Sequence, residues 1–133
     1  MDLNGIIEND TGTHELKHPV DGAPLGIFFT LAGPEHPVRQ KIALQASRDL
    51  RRRVQKAGKL VFDDPEDELA AETDYLVAAT LGWKGLEIDG KPVEYSPGEA
   101  RTLYTTSKFA WVRRQIRKAL DDAEVFTGSS SRH

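Results

Sequence analysis

Histidine is the first residue type to consider in this chain, because imidazole binds metal ions and exchanges protons near neutral pH. His14 and His18 have the spacing that brings two metal ligands together on a helix. They fall, however, in a predicted strand and the turn after it, where this spacing does not bring both rings to one point. No third ligand lies nearby, and His36 precedes a proline. We therefore interpret the histidines as solvated and predict neither a metal nor a cofactor.

An acidic block occupies the middle of the chain, with seven acids and no base between Asp63 and Asp74. Five of these acids are nearly consecutive: Asp63, Asp64, Glu66, Asp67 and Glu68. Clustered carboxylates can hold a hard cation or work as an acid–base pair, but neither a nucleophile nor a calcium-type glycine turn accompanies them. A helix N-terminus favours acids in any case. The block is therefore interpreted as the solvated start of a helix.

A basic block precedes the acidic one, with eight bases and one acid between Arg39 and Lys59. Its Arg51–Arg53 run could contact phosphates, but no aromatic residues are interleaved with it and helix-turn-helix spacing is not evident. The net charge of −3 over the whole chain also argues against a dedicated nucleic-acid binder. The two blocks carry +7 and −7. They could pair within one molecule or between copies in a head-to-tail contact, and both interpretations remain open.

Nucleophilic catalysis has no candidate in this sequence. The chain contains no cysteine, and Ser96 and the terminal serines have no evident base partner. A glycine-rich phosphate loop, a G-x-S-x-G elbow and an H-E-x-x-H motif are all absent. We therefore expect a protein that works by binding other proteins and is not an enzyme.

Trp111 is the clearest candidate for contact with a partner. It lies on a predicted helix from about Lys108 to Ala123, off the apolar stripe and among Arg114 and Lys118. A large aromatic side chain on a polar face either packs under another element, here the N-terminal hairpin, or stays exposed for a partner. The predicted partner-binding set adds two arginines of the basic block, and its members are Trp111, Arg114, Lys118, Arg48 and Arg52.

Hydrophobic periodicity and turn residues indicate the elements that position these side chains. Strands are predicted over 13–17 and 25–31, and a second hairpin joins 86–88 to 91–95 through Asp89-Gly90. Helices are predicted over 38–57 with a cap at Gly58, from 65 to a stop at Gly82, and after a capping box at Ser96. Thr105-Thr106-Ser107 is predicted to break the chain before a last helix over 108–123. The first helix carries one apolar stripe, formed by Ile42, Ala43, Ala46, Leu50, Val54 and Ala57. The second carries an inner face, formed by Leu69, Thr73, Leu76, Val77 and Thr80.

The fold class predicted from these elements is α+β, mainly helical, with three to four helices and one or two short β-hairpins. The length of 133 residues fits a single domain, placed at 13–126 between a flexible N-terminus (1–12) and a disordered tail (127–133). No apolar run approaches the ~18 residues that cross a bilayer, and the start lacks the pattern of a signal peptide. We expect a location in the cytoplasm of a bacterial cell.

Two passages of the sequence resemble a known protein family. The first is H-P-V-D-G-A-P-L-G at 18–26, with the strand and helix that follow it. The second is L-G-W-K-G-L-E-I-D-G-K-P-V-E-Y-S-P at 81–97, followed by Ala100, Leu103 and Tyr104. Together, over roughly Leu16 to Ala123, they resemble the tail assembly chaperones of long-tailed bacteriophages and prophages. The G-W-x-G-L…D-G-K-P-V-x-Y-S pattern is the more telling part.

The resemblance implies a non-catalytic late protein that binds the tape-measure protein, keeps it soluble and helps recruit subunits of the major tail protein. It also implies that the chain is absent from the mature virion, and it transfers no binding residue by position. Two other functions remain open: a structural virion component, such as a tail-completion or connector protein, and a nucleic-acid-binding regulator. Self-association is a further open expectation.

Overall fold

Groups of strands and groups of helices follow one another along this chain, and a computed structural model describes them for residues 2–57 and 65–128. The fold is α+β, as predicted. The helices are α1 (Pro37–Ala57), α2 (Pro65–Ala79), α3 (Pro97–Thr105), α4 (Ala110–Leu120) and the single turn α5 (Ala123–Phe126). The strands are β1 (Ile7–Glu8), β2 (Thr11–Lys17), β3 (Pro24–Ala32), β4 (Thr80–Lys84), β5 (Glu87–Ile88), β6 (Lys91–Pro92) and β7 (Thr127–Gly128).

The central strand of the main sheet is β3, in an antiparallel sheet with the order β2-β3-β4. Its branched and aromatic residues suit a pleated surface that is buried on one side. Phe29 lies opposite His14 on β2 and Trp83 on β4. Phe29 and Trp83 are buried, whereas Phe28 is exposed. The sheet therefore turns one face to the core and the other to solvent.

The prediction that the second helix continues to Gly82 is wrong. α2 ends at Ala79, and the next five residues form β4, which pairs with β3. At this junction the Thr80 hydroxyl contacts the carbonyl oxygen of Leu76 (2.7 Å) and the hydroxyl of Tyr104 (2.7 Å). The partner strand lies far earlier in the chain. A hydrophobic period is read over neighbouring residues, so it cannot reveal a pairing with a distant strand. Here the pairing with β3 outweighs the helix propensity of these residues.

The predicted turn at Asp89-Gly90 is confirmed between β5 and β6, which pair in an antiparallel hairpin. Both turn residues have positive φ, 54° at Asp89 and 74° at Gly90, as this tight turn requires. The hairpin is tied to the sheet by Trp83, whose indole N–H donates to the carbonyl oxygen of Val93 (2.8 Å).

The C-terminal helices confirm one expected break and show a second that the sequence analysis missed. The Ser96 hydroxyl accepts from the Glu99 N–H (3.0 Å) at the start of α3, as its capping box predicts. The chain then breaks at Thr106, also as predicted. The last helix does not run to Ala123, because Asp122 accepts from the Glu124 N–H (3.0 Å) and begins α5. Aspartate favours a helix cap over a helix interior.

The core lies between the inner face of the sheet and the inner faces of α2, α3 and α4. Its largest fully buried apolar and aromatic side chains come from six different elements and are Leu16, Phe29, Leu31, Leu76, Tyr104, Ile116, Leu120 and Phe126. On α2 the predicted inner face is buried except at Leu69, which is 47% exposed.

The two ends of the described chain meet beside the core. β1 pairs with β7, and the Asn9 N–H donates to the carbonyl oxygen of Phe126 (2.7 Å). Gly12 on β2 approaches α5 so closely that a Cβ would clash with the backbone of Val125. Glycine is therefore required by this approach. The predicted tail beyond Gly128 lies outside the described residues, as does the Gly58 cap expected after α1.

Among the residues that the structure describes, no helix is long and apolar enough to cross a membrane.

Candidate protein-binding surface

The first turns of α1 anchor this helix to the rest of the molecule through Arg39. Its guanidinium donates to the carbonyl oxygens of Ala32 (3.3 Å) and Leu120 (3.1 Å), so it bridges the end of β3 and the end of α4. It also lies over the rings of Tyr75 (5.7 Å) and Phe126 (5.8 Å). A planar cation that stacks on aromatic rings and donates several hydrogen bonds suits this junction.

Beyond this anchor, the apolar stripe of α1 faces solvent along most of its length. Ala43, Ala46 and Leu50 are exposed, with 44% of Leu50 accessible, and Ile42 and Val54 are only half-buried. The stripe predicted from the sequence is present on α1, but most of it is not covered by the core. α1 extends roughly 31 Å for its 21 residues. Among the described elements, α2 makes the main contact with α1.

A groove of about 420 Å³ separates α1 from α2. Its lining comes from one face of each helix and comprises Ile42, Gln45, Ala46, Asp49, Ala71, Asp74, Tyr75 and Ala78. The floor is mainly alanine and aromatic carbon. Both walls carry an aspartate, Asp49 on α1 and Asp74 on α2. The Asp74 carboxylate pairs with Arg101 of α3 at 2.8 Å. The groove between α1 and α2 is thus bordered by small side chains, one aromatic ring and two aspartates.

The outward side of α1 carries the basic block. Its exposed bases are Lys41, Arg48, Arg51, Arg52 and Lys56. Within the described parts of the chain, no ion pair joins these bases to an acid of α2. We call the exposed apolar side chains Ala43, Ala46 and Leu50 the α1 surface. Arg48 and Arg52 lie on the opposite side of this helix, because residues two positions apart do not share a helix face.

The structure places the predicted partner-binding residues on two separate surfaces. Arg48 and Arg52 are exposed on the basic side of α1, whereas Arg114 and Lys118 are exposed on α4. The described link between these helices is the Arg39 contact with Leu120, and Arg48 lies roughly 14 Å further along α1. Trp111 is half-buried and packs against the core cluster. Part of this side chain remains accessible.

The histidines of the sequence analysis lie beside α4. The imidazole of His14 is 3.2 Å from the side-chain carbonyl oxygen of Gln115, and His18 accepts from the Val20 N–H (3.1 Å). Together with Lys17, Lys118 and Asp122 they border a cavity of about 370 Å³. In the described ranges, no group of three or more histidine and carboxylate side chains is placed to hold a metal ion.

The acidic block is only partly covered by the structure. Asp63 and Asp64 lie outside the described residues, as do the side chains of Glu66 and Asp67. Glu68 is exposed on the first turns of α2, and Glu72 is half-buried one turn later. We call Glu68, Leu69 and Glu72 the acidic edge of α2.

Comparison of the chain with models of protein families, with curated proteins and with solved structures finds no match.

Proposed function

We propose that this protein is a tail assembly chaperone of a long-tailed phage or prophage, which binds the tape-measure protein through the α1 surface. The observation that carries the proposal is the exposed apolar stripe of α1, with Leu50 at its centre. The tape-measure assignment itself comes from the sequence resemblance described above.

An extended helical client requires a partner that covers its apolar side chains. A long helix with an apolar stripe aggregates unless that stripe is covered, and a second amphipathic helix covers it through side chains at helical spacing. The small residues Ala43 and Ala46 allow a client helix to approach α1 closely, and Leu50 gives it an apolar anchor. The bases on the opposite side of α1 keep the free chaperone soluble.

Co-expression with a tape-measure protein from the same genome tests the proposal, read out as soluble client and as client retained on tagged chaperone. Wild-type protein is expected to raise both. Leu50→Asp is expected to lower the retained client at least about fivefold, because it places a charge at the centre of the apolar contact. The matched control is Leu3→Asp, since Leu3 is 81% exposed and lies far from α1 in sequence.

Trp111→Ala distinguishes client binding at α4 from client binding at the α1 surface in the same assay. If it removes the client while Leu50→Asp does not, the client binds at α4 and the α1 surface is not the site. If wild-type protein neither retains nor solubilises the client, the chaperone proposal fails altogether.

A further inference from the structure

We propose that the cavity between β2 and α4 binds a phosphate group, either free or carried on a larger molecule. This cavity of about 370 Å³ is bordered by His14, Lys17 and His18 on one side and by Gln115 and Lys118 on the other. It lies apart from the α1 surface, so phosphate binding here does not depend on the proposed function.

The wall between β2 and α4 is fixed by the Gln115 amide. The Lys17 N–H donates to its carbonyl oxygen (2.9 Å), and its NH₂ group donates to the Lys17 carbonyl oxygen (2.7 Å). The orientation of the amide is therefore settled, and the oxygen that lies 3.2 Å from His14 Nε2 is an acceptor. Since that nitrogen must donate, the proton of His14 resides on Nε2. His14 and Gln115 thus hold the two sides of the cavity together.

His18, in the turn after β2, supplies a hydrogen-bond donor. The Val20 N–H donates to its Nδ1 (3.1 Å). A neutral imidazole that accepts at one nitrogen carries its proton on the other, so His18 has an Nε2–H. The Asp21 carboxylate lies on the Nδ1 side, 3.6 Å away, and accepts from the Ala23 N–H (2.9 Å). The Nε2–H therefore remains available to an anion in the cavity.

Two ammonium groups border the same cavity. Lys118 is exposed, and no ion pair joins it to another described residue. Lys17 pairs with Glu15 at 3.5 Å, a long and solvated contact, and 45% of its side chain is accessible. Both side chains are flexible enough to turn towards an anion between them.

The remaining charges leave the cavity positive. Of the described residues that line it, Asp122 alone is acidic, and its carboxylate caps α5 by accepting from the Glu124 N–H (3.0 Å). α4 has four bases and no acid. One of them, Arg114, is exposed one turn before Lys118 on the same face of the helix. A concave site with an excess of one charge raises the local concentration of ions of the opposite sign.

Phosphate fits these donors better than a carboxylate does. A phosphate ester carries roughly −1.5 to −2 charges near neutral pH and offers three acceptor oxygens. Lysine binds phosphate as a point charge, whereas the planar carboxylate is matched by the fork of an arginine. The volume lies at the lower end of the ~300–1,000 Å³ that small-ligand sites occupy, so it leaves room for the group that carries the phosphate.

Titration with inorganic phosphate, followed by NMR at constant ionic strength and near neutral pH, tests the proposal. The ring signals of His18 are expected to shift with a Kd of about 1–5 mM, because the surrounding charges are solvated. His36 is an internal control. Its Nδ1 accepts from the Val38 N–H (3.1 Å), as that of His18 does from Val20, but it lies at the start of α1 and does not line the cavity. Its signals are expected to stay unchanged.

Lys118→Glu is expected to weaken phosphate binding at least about tenfold, since it replaces an attractive charge with a repulsive one. Lys84→Glu is the matched control, because Lys84 is also an exposed base and lies on β4, at the opposite edge of the sheet. It is expected to change the affinity less than about twofold.

Two short peptides, identical except that one carries phosphoserine in place of serine, distinguish the sources of the phosphate. Binding of the phosphopeptide at least about tenfold more tightly than inorganic phosphate would assign the site to a phosphorylated protein. Equal or weaker binding would assign it to free phosphate or a small ester.

Three results would overturn the proposal. The first is a His18 signal that does not shift, or shifts only together with that of His36, up to ~50 mM phosphate. The second is an equal loss of affinity in Lys118→Glu and Lys84→Glu. The third is an acetate titration that shifts His18 as strongly as phosphate does, since the site would then not select phosphate.

Discussion

At the scale of single residues, the polar groups of the core are concentrated around Thr80. Its hydroxyl lies 2.7 Å from that of Tyr104, and its carbonyl oxygen accepts from the hydroxyl of Tyr95 (2.6 Å). These contacts join α3 and the chain before it to the junction between α2 and β4. Burial raises the pKa of Tyr104 well above its ordinary value of 10.0, because a phenolate is poorly solvated in the core. Burial also raises the pKa of Tyr95.

The raised pKa of Tyr104 predicts a loss of stability in alkali. The folded protein holds the phenolic proton more tightly than the unfolded chain, so this contribution is complete below about pH 10. It falls as the pH rises from about 10 towards the folded-state pKa. We expect urea unfolding between pH 9 and 11.5 to show a falling free energy, with a shallower fall in Tyr104→Phe. Near pH 7 the same variant is expected to lose about 1 kcal/mol with the hydroxyl contact. An identical alkaline slope in wild type and variant would contradict this prediction.

At the scale of elements, the outer edge of β2 is completed by a side chain. The Gln115 amide on α4 accepts from the Lys17 N–H (2.9 Å) and donates to the Lys17 carbonyl oxygen (2.7 Å). It does for this edge what a neighbouring strand would do, and it fixes α4 against the sheet. An edge strand with unpaired backbone groups can associate with other chains, so the Gln115 side chain also protects β2 from aggregation at this position.

Gln115→Ala is therefore expected to lower the free energy of unfolding by about 1–2 kcal/mol and to speed hydrogen exchange at the Lys17 amide. Gln55→Ala is the matched control, because Gln55 is exposed on α1, and it is expected to change neither quantity. Denaturant unfolding and amide exchange by NMR measure the two effects. Unchanged exchange at Lys17 would mean that the side-chain bridge is not maintained in solution.

At the scale of the whole molecule, the core and the proposed binding surface lie in different places. α2, α3 and α4 bury their inner faces against the sheet, whereas α1 is joined to the body at its N-terminal end and along α2. The stability of the protein should therefore depend little on the outer half of α1. That independence leaves the helix available for partners.

A matched pair of substitutions tests this division. Leu76→Ala removes a fully buried side chain of α2 and is expected to lower the free energy of unfolding by about 2–5 kcal/mol. Leu50→Ala removes a side chain that is 44% exposed, and is expected to change the free energy of unfolding by about 0.5 kcal/mol or less. Denaturant titration measures both. Equal losses would show that the stripe of α1 packs into the core.

The sequence by itself determined the local features of this protein. The α1 helix, the Asp89-Gly90 turn, the Ser96 cap and the break at Thr106 were all predicted, because each depends on neighbouring residues through periodicity, φ preference or capping. It also determined that basic residues cluster in one segment and acidic residues in the next, because charged residues can be counted without a structure. The α+β class follows from these elements together.

Only the tertiary structure decided what depends on distant contacts. β4 is a strand because β3 offers it a pairing edge, and α5 packs against β2, which lies far earlier in the chain. The exposure of the α1 surface also depends on distant contacts. Periodicity shows that α1 has an apolar stripe, but whether that stripe is covered depends on how much core surrounds it. Here the sheet and the helices α2, α3 and α4 pack against one another, and they leave most of the α1 stripe uncovered.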